Sequence, residues 1–506
     1  MKTILISATV VASAVCFAEL DLIPMPRGVA EREGFYLSTN GFDKVKVTEM
    51  RDESIRKEGY RLVVSQDGIA SWASSDSGFF YARQTLRQLA KGSAEGWRYP
   101  CVEINDWPEY AWRGVLLDEG RHFFGKETVR QVLDLMAMYK LNVFHWHLTE
   151  DQGWRLDIPG YPKLAECGSM RRASAKHGAT LKRIAPFVYR CTEINTQQYG
   201  PYFYTADDVR EILAYAKERH IEVVPEIDLP GHAKAALGAY PELACFPDRI
   251  ESGAAEIHWG IHRDVFCIGN DETVRFLENV IDYVCELFPS KVIHIGGDEC
   301  PRLNWEECPK CQDRMKKEGM RNAGELQAWI TRRIAERLEK KGRRLMGWDE
   351  ILEGDVPKSA IGMSWRTVQK KGEAKFTTPG ECAMKGFDIV MTPSPFCYFS
   401  ARQGLVEEPF PRQGRIITLE KAYDFDPLAG IPEEAHKRII GGQCCMWSEY
   451  LWNEYDLAWR MWPRTFATAE ILWAAPKKRD FPDFVRRAQS QRMALISMGV
   501  NCAPMR

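Results

Sequence analysis

The sequence predicts a (β/α)8 TIM barrel preceded by a small α/β domain made of a sheet and a helix. Two observations carry this prediction: eight short apolar runs recur after Trp112, and amphipathic helical stretches separate them. Continuously apolar strands that alternate with helices are typical of a parallel sheet covered on both faces. Eight such units fit a barrel with long loops. A doubly wound open sheet is the alternative, but no G-x-G-x-x-G follows the first predicted strand.

The amino-terminal residues 1–18 have the pattern of a secretory signal peptide. One early Lys precedes an apolar run from Ile4 to Val15, and small residues precede a cleavage point after Ala18. The run is too short to span a bilayer as a mature helix. A buried helix and a lipidated Cys16 are the alternatives. No other stretch reaches eighteen apolar residues, so we expect an exported protein, periplasmic or extracellular, without a transmembrane segment.

Residues 19–107 are predicted to form the small α/β domain. YRLVVS and GIASWAS have the alternation of strands, and SGFFYARQTLRQLAK has the period of an amphipathic helix. A proline in VEINDWPEY ends this segment. No cluster of catalytic residue types occurs in it, so the sequence assigns it no ligand.

Residues 108–506 are predicted to form the barrel. Its eight strands are predicted from the runs GVLLD, LNVFHWHL, IEVVPEID, KVIHIGGDE, RRLMGWDE, AIGMSW, FDIVMT and IIGGQCCMW. The intervening helices are most evident in KETVRQVLDLMAMYK, TADDVREILAYAKERH, ETVRFLENVIDYVCELF and AGELQAWITRRIAERLEKKG. Cys444 and Cys445 lie in the last run and are expected to be buried.

The overall composition narrows the class of protein. The 506 residues carry 68 Lys and Arg against 70 Asp and Glu, a net charge of −2, and 45% are apolar. These values exclude a disordered or fibrous chain. Because no basic tail or excess positive charge is present, nucleic acid is an unfavourable partner. The 16 Trp residues include candidates for stacking on sugar rings.

Fourteen cysteines remain once the one inside the predicted signal peptide is removed from the total of 15. Export permits disulfides, and we expect one between Cys245 and Cys267, which bracket a loop between two barrel elements. Cys300, Cys308 and Cys311 form C-x7-C-x2-C. Three thiolates could hold a structural zinc if a fourth ligand came from elsewhere; free thiols or a disulfide are the alternatives.

Polar and aromatic residues follow all eight predicted strands, at the end where barrels carry their active sites. Charged residues are rarely buried unless paired, so this recurrence favours a site over packing. In strand order the residues are Arg121 and His122; His145, His147, Glu150 and Asp151; Glu226, Asp228 and His232; Asp298 and Glu299; Trp348, Asp349 and Glu350; Trp365; Tyr398; Trp447 and Glu449.

The most informative motif is HIGGDE, which ends in Asp298 and Glu299. Its two glycines allow the backbone to approach a ligand. Adjacent carboxylates resist joint ionisation, so one keeps a proton and can act as a general acid near neutral pH. A metal-binding pair or a helix N-cap is the alternative. No HExxH accompanies the histidines after strands two and three, so their pairing with carboxylates is favoured over zinc.

Six segments resemble, in order, the β-N-acetylhexosaminidases of glycoside hydrolase family 20, and the resemblance covers roughly residues 20–500. They are WRGVLLDEGRHFF, NVFHWHLTEDQGWRLDI, PEIDLPGHAKAAL, HIGGDE, GWDEIL and MWSEY. The resemblance implies an exo-acting enzyme that removes terminal β-linked GlcNAc or GalNAc from glycans without a cofactor. It also implies substrate-assisted retention, in which the 2-acetamido carbonyl attacks the anomeric carbon and gives an oxazolinium.

The same resemblance implies a role for each candidate residue. Glu299 would protonate the leaving oxygen and then deprotonate water, Asp298 would bind the acetamide N–H and offset positive charge, and Tyr398 would donate to the acetamide oxygen. The other implied residues are Trp348, Trp365 and Trp447 around the acetyl group and sugar face, Arg121 and Glu449 at ring hydroxyls, and Asp151 with His232 as a support for Glu299.

Two positions depart from the family pattern. Glu150 stands where the family commonly has Asp, and Ser400 stands where an acidic or amide residue often reaches O4 or O6. Arg402 close by could accept a 6-sulfated GlcNAc, although simple exposure to solvent is favoured. The functional alternatives are a two-carboxylate retaining glycosidase, with Glu299 as acid and Glu449 as nucleophile, and a non-catalytic carbohydrate-binding protein.

Overall fold

The computed structural model describes residues 20–41, 44–175, 181–185, 188–191, 193–367, 376–404, 408, 415–474 and 479–505. The described residues divide between two compact units, which fall within Met1–Leu22 with Pro26–Trp107 and within Ile23–Met25 with Pro108–Arg506. The predicted signal peptide lies outside the described residues. Among those described, no helix is both long and apolar enough to cross a membrane.

The first unit is a sheet with one helix packed on it. In sheet order the strands are Gly28–Ser38, Gly96–Asp106, Tyr60–Ser65, Gly68–Ala73 and Thr48–Arg51, with Lys91–Ser93 paired to Gly96–Asp106. The helix Asp76–Leu89 begins after Ser75, whose side chain accepts a hydrogen bond from the Gly78 N–H. The predicted small α/β architecture is confirmed.

The second unit is a closed barrel of eight parallel strands, as predicted. The strands, numbered one to eight below, are Trp112–Asp118, Val143–His147, Glu222–Glu226, Val292–His294, Arg344–Trp348, Ile361–Ser364, Asp388–Met391 and Ile439–Met446. All seven residues of strand one are buried, because its sheet is covered by helices outside and by packed side chains inside. Cys444 and Cys445 are buried in strand eight, also as predicted.

Helices surround this barrel. The longer ones are Lys126–Met138, Ala206–Glu218, Asp271–Leu287, Ala323–Lys340, Arg464–Ala474 and Phe481–Ser497; the shorter ones are Lys163–Glu166, Lys234–Ala239, Leu303–Glu307, Pro309–Lys317, Pro379–Met384, Ser394–Cys397, Leu419–Tyr423 and Glu454–Met461. Local chemistry explains their starts: Thr205 forms a capping box with Asp208, and Asn270 and Asn322 accept N–H bonds in the first turn. The four helical segments picked out in the sequence are all helices.

The loops after strands two to four carry most of the additional structure. It comprises the short strands Thr149–Glu150, Gly153–Trp154, Ser174–Ala175, Leu181–Ala185, Val188–Cys191, Ile194–Asn195 and Trp259–Gly260 and the 3-10 turns Pro241–Leu243 and Pro247–Arg249; two further 3-10 turns, Asp349–Glu353 and Glu433–Arg438, lie elsewhere. These loops rise from the carboxyl ends of the strands, which is the end of the barrel where a site is expected.

Candidate active site

A cavity of about 300 Å³ lies at the carboxyl ends of the barrel strands. This volume is at the lower end of the range for ligand pockets and suits one sugar residue better than a long chain. Most of the residues predicted for the site line it. The lining residues are Arg121, Asp298, Glu299, Trp365, Tyr398, Ser400, Ala401, Arg415, Trp447 and Glu449.

The backbone after strand four explains why HIGGDE contains two glycines. Gly296 and Gly297 have φ of +65° and +91°, and a Cβ on Gly296 would lie 1.9 Å from Oδ1 of Asp228. No other residue fits there. Glu299 itself has φ of +46°, a left-handed conformation that costs a non-glycine residue free energy and is found mainly at functional sites. The turn directs Asp298 and Glu299 into the cavity.

Asp298 has a buried oxygen available for a ligand. Its Oδ1 is buried and has no hydrogen-bond partner within the part of the chain that the structure describes. Burial raises the pKa of Asp298 to about 7; the charge of His232 opposes this rise and that of Glu299 adds to it. Asp298 therefore changes its protonation state near neutral pH, and the neighbouring Glu299 charge makes its ionisation harder.

Two more buried polar atoms on the cavity wall lack a partner among the described residues: Nε1 of Trp447 and Oε2 of Glu449. Burial raises the pKa of Glu449, while Arg121 acts against that rise. An unsatisfied buried polar group costs about 1–3 kcal/mol, so three of them facing one cavity indicate a polar ligand. That ligand must offer hydrogen-bond donors to the two carboxylates and an acceptor to the indole.

Aromatic rings form the other side of the cavity. The Trp365 and Tyr398 rings are stacked, with centroids 6.3 Å apart and an angle of 15° between their planes, and the Trp447 ring lies 5.8 Å from Tyr398. Trp365 is held by a 3.1 Å hydrogen bond from its Nε1 to Glu350. Burial raises the pKa of Tyr398 well above its usual value, so the hydroxyl keeps its proton and can donate.

Trp348 is buried more deeply than the other two predicted tryptophans, Trp365 and Trp447. It is only 1% exposed, belongs to the barrel core and does not line the cavity. Its Nε1 donates to Oε1 of Glu226 at 2.9 Å, and its ring lies 5.6 Å from that of Trp447. Trp348 therefore packs against Trp447, and its place around the acetyl group of the ligand stays a prediction.

His232 connects the acid pair to the loop after strand two. Its Nδ1 lies 2.6 Å from Oε1 of Glu150 and 3.2 Å from Oδ2 of Asp151. Its Nε2 lies 3.9 Å from Oδ2 of Asp298 and 3.8 Å from Oε2 of Glu299. Burial lowers the pKa of His232, but Glu150 and Asp151 outweigh it and hold the pKa well above the usual value. The predicted pairing of Asp151 with His232 is present, and Glu150 adds a closer contact.

Glu150 also positions Arg121. The guanidinium of Arg121 reaches Oε2 of Glu150 at 2.9 Å and Oδ2 of Asp118 at 3.3 Å, and it lies over the Trp447 ring, 5.1 Å from the centroid. One carboxylate thus holds both a cavity-lining Arg and the His next to the acid pair. The sequence placed Glu150 at the end of strand two and marked it as a departure from the family pattern, but it assigned no role to this residue.

A further buried carboxylate, Glu226, had no role assigned from the sequence. Its oxygens lie 2.5 Å from Nδ1 of His147, 3.1 Å from Nε2 of His145 and 2.9 Å from Nδ1 of His294. Burial acts to raise the pKa of Glu226, but these histidines hold it well below its usual value. The alternation of His145 and His147 along strand two turns both inward, and this was the available signal for the contact.

Besides Arg121, the basic residue on the cavity wall is Arg415, and the predicted Arg402 is not on it. Ser400, Ala401 and Arg415 line the cavity and Arg402 does not. The Arg402 N–H donates to the Arg415 carbonyl at 3.1 Å, so the two are adjacent in space although thirteen positions apart. Contact between distant loop residues has no signature in the sequence.

The cysteine predictions require correction. Cys245 and Cys267 are both free thiols, so the predicted disulfide is wrong. Instead they join Cys308 and Cys311 in one cluster, and Cys300 is not a member of it. The physical reason is that the segment bearing Cys308 and Cys311 packs on the loop bearing Cys245 and Cys267, which sequence spacing does not reveal.

Comparison with known proteins agrees with this geometry. The model of the glycosyl hydrolase family 20 catalytic domain matches residues 110–476, and that of the family 20 domain 2 matches residues 29–107. A β-hexosaminidase of Porphyromonas gingivalis is 40% identical over 456 residues, covering 88% of this chain and 55% of that protein. A β-hexosaminidase of Akkermansia muciniphila is 32% identical over 449 residues, covering 88% and 85%.

A solved structure extends the similarity to three dimensions. The family 20 exo-β-N-acetylglucosaminidase of Vibrio harveyi, in complex with N-acetylglucosamine, aligns with a TM-score of 0.83 and 30% identity, over 96% of this chain and 78% of that one. The chain spans about half the length of the Porphyromonas relative and 64% of a Vibrio furnissii β-hexosaminidase that is 37% identical over 81% of this chain. With both of its units matched, the chain belongs to glycosyl hydrolase family 20.

Proposed function

We propose that this protein is an exo-acting β-N-acetylhexosaminidase that removes terminal β-linked GlcNAc or GalNAc from glycans by substrate-assisted retention. The observation that carries the proposal is the buried Oδ1 of Asp298, which has no hydrogen-bond partner among the described residues and lies next to Glu299 in a cavity sized for one sugar. A carboxylate so placed accepts a hydrogen bond from the substrate's acetamide N–H. The names of the relatives described above support the same activity.

In the first step the acetamide oxygen attacks the anomeric carbon while the bond to the leaving oxygen breaks. Glu299 gives its proton to that oxygen. Asp298 accepts the acetamide N–H and faces the positive charge that forms on the oxazolinium, an electrostatic role that depends on a fixed, buried group. Tyr398, which keeps its proton, donates to the acetamide oxygen and orients it. The aromatic wall excludes water from this face.

In the second step water attacks the anomeric carbon from the side that the leaving group vacated. Glu299, now ionised, accepts a proton from the water, and the carbon–oxygen bond to the acetamide breaks. The two inversions at the anomeric carbon together restore the β configuration. The proton taken from water returns Glu299 to its protonated form. Arg121 and Glu449 supply hydrogen bonds to ring hydroxyls, which fixes a non-reducing terminal residue in the cavity.

A two-carboxylate mechanism with Glu449 as nucleophile is the second candidate, because Glu449 lines the same cavity. It predicts a glycosyl ester on Glu449 and indifference to the acetamido group. The test compares chromogenic β-glycosides of GlcNAc and of glucose, with and without a thiazoline that mimics the oxazoline. Cleavage of GlcNAc alone, blocked by the thiazoline, supports the proposal; equal cleavage of both sugars supports Glu449. Binding of GlcNAc without cleavage would indicate a carbohydrate-binding protein.

Enzymes of this family act without a cofactor, and in the proposed steps the nucleophile comes from the substrate and the proton from Glu299. The structural zinc that the sequence predicted at Cys300, Cys308 and Cys311 is a separate question. A structural zinc stays a proposal, with a different set of ligands.

We also propose that the protein is exported, periplasmic or extracellular, after cleavage following Ala18. The support is the sequence pattern of residues 1–18 alone. Amino-terminal sequencing of the protein from its own cells, together with cell fractionation, tests this. A mature protein that still begins at Met1 would overturn it.

A further inference from the structure

Four cysteines from two separate loops come together outside the cavity. Cys245 and Cys267 lie in the loop after strand three, and Cys308 and Cys311 lie at the start of the helix Pro309–Lys317, after strand four. Their four sulfur atoms all lie within 4.8 Å of one another. Cys267, Cys308 and Cys311 are almost fully buried. Four thiols therefore share one small, closed volume.

The spacing of the sulfur atoms is that of a metal-binding tetrahedron. The distances from Cys245 to Cys311, from Cys267 to Cys308 and from Cys267 to Cys311 are each 3.8 Å. Zinc binds cysteine sulfur at about 2.3 Å in a tetrahedron, which places neighbouring sulfurs about 3.8 Å apart. Sulfurs joined in a disulfide are only about 2.05 Å apart. The arrangement matches four ligands around one centre.

Backbone packing around the cluster is consistent with thiolates. The Gly269 N–H points at the sulfur of Cys311, with 3.4 Å between nitrogen and sulfur, and such donors support metal-bound thiolates from the outer shell. A Cβ on Gly269 would lie 2.2 Å from the carbonyl carbon of Lys310, so only glycine allows this approach of the two loops.

We propose that Cys245, Cys267, Cys308 and Cys311 bind one structural Zn²⁺ that fixes the loop carrying Glu299. Four protein ligands leave no open position, so the ion has a structural role and takes no part in hydrolysis. The metal site lies outside the catalytic cavity, because none of its ligands lines the cavity, and zinc binding can be measured whether or not the proposed glycosidase activity is correct.

The contacts around the cluster connect it to both halves of the site. Phe266, next to Cys267, donates its N–H to the Pro230 carbonyl at 3.1 Å, two residues before His232. The Phe266 carbonyl accepts a 2.9 Å hydrogen bond from Nε1 of Trp305, which lies in the short helix between Glu299 and Cys308. Zinc would therefore fix the position of the His232 loop relative to the Glu299 loop. Its ligands act as positioning residues.

The first experiment measures metal and thiols on the full-length purified protein, prepared without chelator. We expect about one zinc per chain by plasma mass spectrometry and an intact mass with the cluster cysteines reduced. Co²⁺ exchanged into the protein should give the absorption bands of a tetrahedral tetrathiolate. A metal-free protein with two disulfides, seen as a mass lower by four hydrogens, would overturn the proposal, and so would a metal-free protein with four free thiols.

The second experiment uses variants. Replacing Cys308 and Cys311 together by Ser should abolish zinc binding, whereas Cys285→Ser, at a buried cysteine in the helix Asp271–Leu287, should keep it. A positioning role predicts at least a tenfold fall in kcat on substrates with poor leaving groups, with KM little changed. Zinc content unaffected by the double substitution would contradict the ligand assignment. If the variant does not fold, the zinc content and cobalt spectrum of the wild-type protein decide, and neither depends on glycosidase activity.

Discussion

Replacing Asp298 by Asn is the sharpest test of substrate assistance. The substitution keeps the shape of the side chain but removes its charge from a buried site where Oδ1 has no other partner among the described residues. A hydrogen bond to a charged group contributes about 1.5–3 kcal/mol. Removing one preorganised electrostatic group from an active site typically costs about 2.7–4 kcal/mol. Because about 1.36 kcal/mol corresponds to tenfold in rate, we expect kcat to fall roughly 10²- to 10³-fold.

The assay is a series of aryl β-GlcNAc substrates whose phenols differ in acidity, compared with Glu299→Gln. Asp298 acts on the acetamide, so its loss should be similar for every leaving group. Glu299 protonates the leaving oxygen, so Glu299→Gln should be spared more on acidic phenols, which need no proton. Asp282→Asn is a matched control, since Asp282 pairs with Arg337 away from the cavity, and it should leave kcat unchanged.

Two results would refute this reasoning. One is a fall in kcat of less than about tenfold for Asp298→Asn, which is below the effect expected of a preorganised charge. The other is a loss that appears only in KM, since that pattern marks an interaction equally strong in the ground and transition states. A dependence on leaving group as steep as that of Glu299→Gln would exchange the two roles.

Four further predictions follow from the same geometry. In pH profiles, kcat/KM should rise as pH rises through about 7, where burial places the pKa of Asp298, because the ionised carboxylate is the form that accepts the acetamide N–H and faces the oxazolinium; an unchanged rate across this range would contradict it. Glu449→Gln should lower kcat/KM roughly 10- to 100-fold through a lost charged hydrogen bond, and no trapped ester should be seen by mass spectrometry. Trp365→Ala should raise KM for GlcNAc substrates about tenfold by removing one aromatic wall, measured by initial rates. An unaltered KM would mean that Trp365 does not belong to the sugar-binding surface. Glu226→Gln should lower the free energy of unfolding by about 3 kcal/mol, because the partners of a buried charge are left uncompensated, measured by urea denaturation.

Most of the barrel could be predicted because its signal is local. Strands buried on both faces are continuously apolar, and the run GVLLD lies within the strand Trp112–Asp118. The first unit was harder. The strand Gly28–Ser38 was not predicted, because nearly all of its side chains are exposed or half-buried and it lacks an apolar pattern. The strands Tyr60–Ser65 and Gly68–Ala73 alternate between buried and half-buried positions and were predicted.

The candidate site likewise contains residues that could be predicted from the sequence and residues that could not. Barrel topology brings all the strand ends to one rim, so residues at those ends, such as Arg121 and Glu299, could be assigned to a common cavity. Whether a side chain at the rim faces the cavity or the core depends on packing, and Trp348 belongs to the buried cluster against which Trp365 and Trp447 pack. Loop-to-loop contacts were the least predictable. The partners of Cys245 lie more than sixty positions further along the chain, and nothing in the spacing identifies them.

The charges around the cavity explain why one carboxylate can meet a developing cation. The charge of Arg121 is balanced by Asp118 and Glu150, and that of His232 is balanced chiefly by Glu150 and Asp151. These cations therefore pair with carboxylates other than Asp298 at the base of the site. Oδ1 of Asp298 is left without a hydrogen-bond partner among the described residues. The positive charge of an oxazolinium would supply what this carboxylate lacks, so the site is complementary to the charged intermediate and less so to the neutral substrate, which is the condition for electrostatic catalysis.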